Sequence, residues 1–259
     1  MMNHHLLIDI GNTFLKWGFY RQRPPGEHVL AQEQMVHFGR VLHDEIPTVM
    51  AKWRSFAAPS RIVVSNVAGT LIRNPLMRAL EIWPQEHTPY WISSQFEQCG
   101  VRNGYLNPAA LGCDRWAALI GARALIPDAP VLVVVCGTAT TVDLLTADGR
   151  FLGGGIMPGL GLMQRVLHQH TATLPDAQGD YLDFPRQTVD AIATGCTNAQ
   201  AGAVERVFAM HATQHPGLQC IISGGAARTL APRLGINHRV QENLVLDGLY
   251  WIADSLGSS

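Results

Sequence analysis

The chain has 259 residues, enough for one large domain or two small ones. Hydrophobic residues make up 47% and charged residues 15%, which supplies a sizeable core and excludes a disordered chain. The formal net charge is −1 with no Lys/Arg run, which argues against a nucleic-acid or membrane surface as the main partner.

Leu6 to Ile10 is a short apolar run, broken by Gly11-Asn12-Thr13 and resumed from Phe14 to Tyr20, which predicts two strands joined by a short turn. Arg21 to Gly26 (RQRPPG) reads as a loop, Arg61 to Asn66 (RIVVSN) as a strand, and Pro89 to Ile92 as part of another. Asn107 to Cys113 is irregular, and Asp114 then opens the helical pattern DRWAALIGARAL, where an N-cap role suits it. Val131 to Val135 is a strand, and residues 144–152 form a hairpin around Ala147-Asp148-Gly149-Arg150. Thr188 to Thr194 and Ala199 to His211 read as helices, Gln219 to Ser223 as a strand running into Gly224-Gly225, and Leu244 to Leu256 as an apolar closing helix. Strands and helices alternate, so the class is α/β.

The strand–turn–strand around Gly11-Asn12-Thr13 is echoed near the middle of the chain around Gly137-Thr138-Ala139. Each copy has a β-branched or apolar run, a Gly-polar-small turn and a second strand. Two similar lobes facing one another would place both turns at a shared cleft. Such turns suit phosphate, because small residues let backbone N–H groups converge and Thr hydroxyls add donors. A carboxylate ending the preceding strand can hold Mg²⁺. Asp9 has that position in LLIDIGNT, where an unpaired Asp in an apolar strand is costly. The plain alternative is an Asp capping its own hairpin turn.

The five cysteines (Cys99, Cys113, Cys136, Cys196, Cys220) are odd in number and lack CxxC spacing, so neither a disulfide framework nor a zinc cage fits them. Met1 to His5 lacks the form of a signal peptide, and no apolar stretch reaches the roughly 18 residues that span a bilayer. A soluble, cytoplasmic protein is expected.

DIGNT (Asp9 to Thr13), NPAALGCDRWA (Asn107 to Ala117), CGTATTVD (Cys136 to Asp143) and GGGIMPG (Gly153 to Gly159) occur in the order found in type III pantothenate kinases, which the chain resembles over nearly its whole length. That family belongs to the acetate and sugar kinase/Hsp70/actin superfamily. The resemblance implies two ribonuclease-H-like lobes (the actin-like ATPase fold) around a central ATP cleft, here residues 1–113 and 114–259. It implies ATP-dependent phosphorylation of pantothenate to 4'-phosphopantothenate, the first step of coenzyme A synthesis, by a homodimer. Carried over motif by motif, Asp9, Ile10, Gly11, Asn12, Thr13 and Lys16 form the first phosphate loop, with Asp9 the Mg²⁺-side carboxylate. Gly137 and Thr138 belong to the second loop, and Gly224 and Gly225 lie against the adenosine. Asp114 is the general base, with Tyr105, Gly112, Cys113, Arg115 and Thr188 at the pantothenate pocket.

Two positions depart from the family. In the lead-in to Thr188 the family usually carries Gly, and this chain has Pro185. Where the family carries Asp-x-Gly-Thr-Ala, its Asp binding a monovalent cation such as potassium or ammonium, this chain has Val135. An apolar side chain cannot ligate a hard cation. Either the cation is dispensable or backbone carbonyls and water hold it. Other features have plainer readings: His168-Gln169-His170 is a solvated helix face, Asp143 is structural, and nothing marks Cys113 or Cys136 as a nucleophile. The alternative to an enzyme is a regulatory protein, since relatives were also described as Bvg accessory factors for virulence-gene transcription. The chain offers no basic DNA-reading helix and keeps the catalytic Asp positions.

Overall fold

The computed structural model describes residues 4–24, 26–27, 29–83, 88–170 and 179–257. Pro25 of the predicted loop, the first three residues and the last two lie outside them. The chain forms two compact units, one of Met1–Pro127 with Asn243–Ser259, the other of Asp128–Glu242.

In the first unit, β1 (His4–Ile10) and β2 (Phe14–Arg21) form the predicted antiparallel pair. After the short α1 (Ala31–Gln34), β3 (Met35–Leu42) pairs antiparallel with β2. The helix α2 (Ile46–Trp53) leads to β4 (Arg61–Asn66), parallel to β1, and α3 (Arg73–Leu80) leads to β5 (Tyr90–Trp91), parallel to β4. The sheet order is β3-β2-β1-β4-β5. Strand alternation sends Leu6, Ile8 and Ile10 to one face, where they join Trp17, Trp53 and Leu76 under α2 and α3. A small hairpin, β6 (Glu97–Gln98) and β7 (Val101–Asn103), precedes α4 (Cys113–Leu125).

The second unit repeats the plan. β8 (Val131–Cys136), β9 (Ala139–Leu145) and β10 (Arg150–Pro158) form an antiparallel meander. After α5 (Leu160–Gln169) and α6 (Thr188–Ala212), β11 (Gln219–Ser223) pairs parallel with β8. The short α7 (Ala227–Leu230) leads to β12 (Arg239–Val240), parallel to β11. The order β10-β9-β8-β11-β12 mirrors the first sheet strand for strand, so the echo between the Gly11 and Gly137 turns is a repeat of topology. The two predicted helical stretches between 188 and 211 are one continuous helix, α6.

The last helix, α8 (Leu244–Ser255), returns to the first unit and packs with α4 on the sheet face opposite α2 and α3. Two glycines allow the helices to touch: a Cβ on Gly121 would stand 2.5 Å from the Leu244 carbonyl oxygen, and one on Gly248 would collide with the Ala117 carbonyl. Arg61 donates to the carbonyls of Ala253 and Leu256 (the latter at 3.3 Å), and Arg23 pairs with Asp254 at 2.8 Å. These contacts place the unit boundaries after Pro127 and Glu242 rather than between residues 113 and 114, because α4 and α8 are bound to each other and to the first sheet.

Candidate active site

Asp9, the penultimate residue of β1, lies on the face covered by α4 and α8, directly opposite Lys16 in the antiparallel pair and in register with Ser65 of the parallel β4. Its carboxylate is buried, and among the described residues Oδ1 has no hydrogen-bond partner. Burial pushes the Asp9 carboxyl up to about 6; the Lys16 charge opposes this, the Asp114 charge adds to it, and a hydrogen bond from Ser65 opposes it. The following turn is closed by Gly11 N–H donating to the Phe14 carbonyl at 3.1 Å and is tied by a contact between His43 Nε2 and the Gly11 carbonyl at 2.9 Å. Asn12 and Thr13 are exposed at its tip. Neither His43 nor Ser65 is among the residues the sequence singled out. His43 gives no signal, whereas Ser65 is a lone hydroxyl ending an apolar strand, the pattern that exposed Asp9.

The N-terminus of α4 is built differently from the prediction. Gly112 occupies the cap position without a side-chain cap, and Asp114 lies inside the first turn, its Oδ1 accepting from the Arg115 N–H at 2.8 Å. Asp114 is therefore no N-cap, because the helix begins one residue before it. Glycine at 112 leaves room for this carboxylate: a Cβ there would stand 2.7 Å from Asp114 Oδ1. Burial raises the Asp114 pKa against the opposing pull of the Arg115 N–H and guanidinium. Arg115 is buried and donates from Nη1 to the Tyr105 hydroxyl at 2.8 Å. The loop carrying Tyr105 is pinned by Asn103, whose Oδ1 accepts from the Tyr105 N–H at 3.0 Å. Cys113 contacts Ser65 Oγ at 3.5 Å, and burial raises its thiol pKa. Asp9, Lys16, Asp114, Cys113, Arg115 and Tyr105 thus share the first unit.

On the second unit, the Gly137-Thr138 turn closes by Gly137 N–H donating to the Ala139 carbonyl at 3.0 Å. Gly224 follows β11 with φ 97°, and a Cβ there would strike the Cys136 backbone, so only glycine fits. Gly225 faces open space. Val135 takes the place in β8 that Asp9 takes in β1, two residues before the turn glycine, and pairs with Ser223 as Asp9 pairs with Ser65. Thr188 opens α6 and lines an apolar hollow of about 440 Å³ with Met163, Leu167, Ile192 and Cys196. It lies in the second unit, whereas Tyr105 and Arg115 lie in the first.

Comparison with solved structures defines the fold. A Sinorhizobium meliloti protein assigned as a 2-dehydro-3-deoxygalactonokinase matches with a TM-score of 0.58 at 13% identity, covering 98% of this chain and 100% of that one. The ethanolamine utilization protein EutJ of Carboxydothermus hydrogenoformans matches with a TM-score of 0.55 at 12% identity, covering 97% and 91%. The fold is that of the actin-like ATPases and sugar kinases. Sequence relatives narrow this further. The type III pantothenate kinase of Aromatoleum aromaticum is 48% identical over 96% of this chain and 97% of its own, and that of a Janthinobacterium species is 44% identical over 96% of each. The profile of the type III pantothenate kinase family matches residues 5–210. The chain belongs to the type III pantothenate kinase family.

Proposed function

We propose that this protein transfers the γ-phosphoryl group of ATP to the terminal hydroxyl of pantothenate, the first step of coenzyme A synthesis. Beyond family membership, the observation that carries this reading is the buried Asp9 carboxylate, with one unpartnered oxygen, in the electrostatic field of Asp114 and Lys16. Phosphoryl transfer passes through a loose transition state that demands positioning and charge neutralisation more than a strong base. Asp114 orients the acceptor hydroxyl and takes its proton late in the transfer. Its raised pKa brings it closer to the value a general base needs near neutral pH. Tyr105, Gly112, Cys113 and Arg115 line the pantothenate side; Arg115, held against Tyr105, supplies the positive charge there. Thr188, on the second unit, is the threonine that the family resemblance assigns to pantothenate.

An unpartnered buried carboxylate oxygen fits a hard divalent cation. The Asp9 carboxylate would hold Mg²⁺, which when bound neutralises phosphate charge on the nucleotide. Ile10, Gly11, Asn12, Thr13 and Lys16 form the first phosphate loop. Gly137 and Thr138 offer phosphate donors on the second unit, and Gly224 and Gly225 the surface for adenosine. The residues do not fit a carboxylate-held monovalent cation, because Val135 offers no oxygen. A cytoplasmic homodimer without nucleic-acid or membrane partners agrees with the net charge of −1 and the free cysteines. Among the described residues, no helix is long and apolar enough to cross a membrane.

The test is phosphate transfer from Mg·ATP to pantothenate, with potassium, ammonium or sodium as the sole monovalent cation, for the native protein and Asp114→Asn. Native turnover is expected in all three salts within about twofold, since no side-chain oxygen at position 135 selects among them. Asp114→Asn is expected to abolish turnover while ATP still binds. Absence of native transfer in every salt would overturn the proposal, and near-normal turnover by Asp114→Asn would remove Asp114 from the base role.

A further inference from the structure

We propose that His43 is a positioning residue for the nucleotide: its Nε2–H holds the Gly11 carbonyl and so turns the Asn12 N–H toward the polyphosphate. This role rests on the kinase reading above and deepens it by naming what shapes the first phosphate loop.

In the turn after β1, the Gly11 N–H donates to the Phe14 carbonyl at 3.1 Å, whereas the Gly11 carbonyl meets His43 Nε2 at 2.9 Å. A carbonyl oxygen can only accept, so Nε2 carries the proton. The peptide unit is planar and trans, so its C=O and N–H point in opposite directions. Holding the Gly11 carbonyl toward His43 therefore sends the Asn12 N–H away from it. Among the described residues no acceptor takes that N–H, which leaves it for a phosphate oxygen. Glycine is conformationally permissive, and a flip of the same peptide would face the phosphate with a carbonyl instead of a donor. The imidazole holds the peptide in the productive sense.

His43 is anchored for this task. It is the first residue past β3 and opens a 3-10 turn, His43–Glu45, that runs into α2. The Glu45 carboxylate accepts from the Leu42 N–H at 2.9 Å, and Ile46 is fully buried. The backbone is thus fixed on both sides of the ring, and a site keeps its precision only when its supports are held.

The second unit ties its own turn from the same place. Phe14, which opens β2, pairs with Leu42, which ends β3; Ala139, which opens β9, pairs with Pro158, which ends β10. The next residue is His43 in one unit and Gly159 in the other. Gly159 donates its backbone N–H to the Thr138 carbonyl at 2.9 Å, and a Cβ there would collide with the Gly137 carbonyl. Both turns therefore have a carbonyl clamped by the residue that follows the third strand. Backbone makes the clamp in the second unit, and a side chain makes it in the first.

Two variants separate the hydrogen bond from the bulk of the ring. His43→Gln keeps an N–H at about the reach of Nε2, and His43→Leu keeps volume without a donor. Binding of Mg·ATP and of adenosine is followed by ligand-observed NMR on the full-length native protein and both variants, with melting temperatures and KM for pantothenate. His43→Leu is expected to weaken Mg·ATP roughly tenfold, the worth of one hydrogen bond, while adenosine affinity and KM for pantothenate stay within about twofold. His43→Gln is expected to bind Mg·ATP within about threefold of native. Equal loss of ATP and adenosine in His43→Leu would overturn the role, since aiming a phosphate donor acts only on phosphate. Native ATP affinity in His43→Leu, or no recovery in His43→Gln, would overturn it as well. A native protein that shows the expected differences but transfers nothing to pantothenate would overturn the acceptor assignment alone. One that binds no Mg·ATP would overturn both.

Discussion

At Asp9 the ordinary carboxyl pKa of 3.8 rises to about 6, with burial the largest cause. Below about pH 4 the group is protonated in the folded and the unfolded chain alike, and it costs nothing. Between about pH 4 and 6 the unfolded chain ionises while the folded chain holds its proton, so stability falls across that window by on the order of 3 kcal/mol and stays at the lower level above it. Asp9→Asn removes this titration. Calorimetry across the pH range should find its melting temperature close to native at pH 4 and several degrees above native at pH 8 in the absence of nucleotide. His5 works in the opposite sense: burial, with the Arg61 charge adding to it, lowers its pKa to about 4, so its neutral form stabilises the fold above about 6.5 and that stability is lost as the pH falls toward 4. Asp9 is legible in the sequence because a lone carboxylate in an apolar strand must have a reason. Asp114 is legible as a site residue but not in its local role, since the choice between cap and first turn depends on where Gly112 lets the chain enter α4. The Ser65–Cys113 contact joins residues far apart in sequence, and periodicity carries no sign of it.

Among elements, the largely apolar strands (β1, β4, β8 and β11) and the apolar helix α8 match the sequence expectations closely, because nearly all their apolar side chains are buried. β3 is absent from those expectations: it is an edge strand paired only with β2, and its MVHFGRVL pattern leaves several side chains exposed. The break predicted inside α6 falls at Gly195 to Asn198, where local propensity is poor but burial of Cys196 and Thr197 carries the helix through. The α4–α8 contact has a sharper requirement. Alanine in place of Gly248 gains about 1 kcal/mol of helix propensity. Its methyl group would strike the Ala117 carbonyl, and backbone cannot yield as a side-chain tip can. Overpacking of this kind costs about 1–3 kcal/mol or more. Gly248→Ala is therefore expected to lower the melting temperature by roughly 5 °C, read by thermal denaturation followed by circular dichroism.

At the scale of the whole molecule, each unit is a five-strand plan of three antiparallel strands followed by two parallel ones, and the turns singled out from sequence fall at corresponding strand ends in both. The repeat is visible in sequence only at the two Gly-containing turns, since the remaining strands preserve hydrophobicity rather than residue identity. The division of the chain was less legible, because nothing local marks α8 as a partner of α4. A chain ending at Glu242 should lose amide-exchange protection in β1, β4 and α4 while β8 and β11 keep theirs. Retained protection in α4 would show that α8 is dispensable for the first unit.

The return of α8 also sets an order on biosynthesis. A ribosome releases the chain from its N-terminus at roughly 5–20 residues per second, so everything from Asp128 to Glu242 emerges before the helix that completes the first unit. For on the order of ten seconds the Ala117–Gly121 face of α4 and the neighbouring strand face await their cover. During that interval the nascent first unit exposes an apolar surface, and the second unit completes its strands before the cover arrives. Maturation of the strand end carrying Asp9 and the helix carrying Asp114 thus waits on a helix translated only after the whole of the second unit.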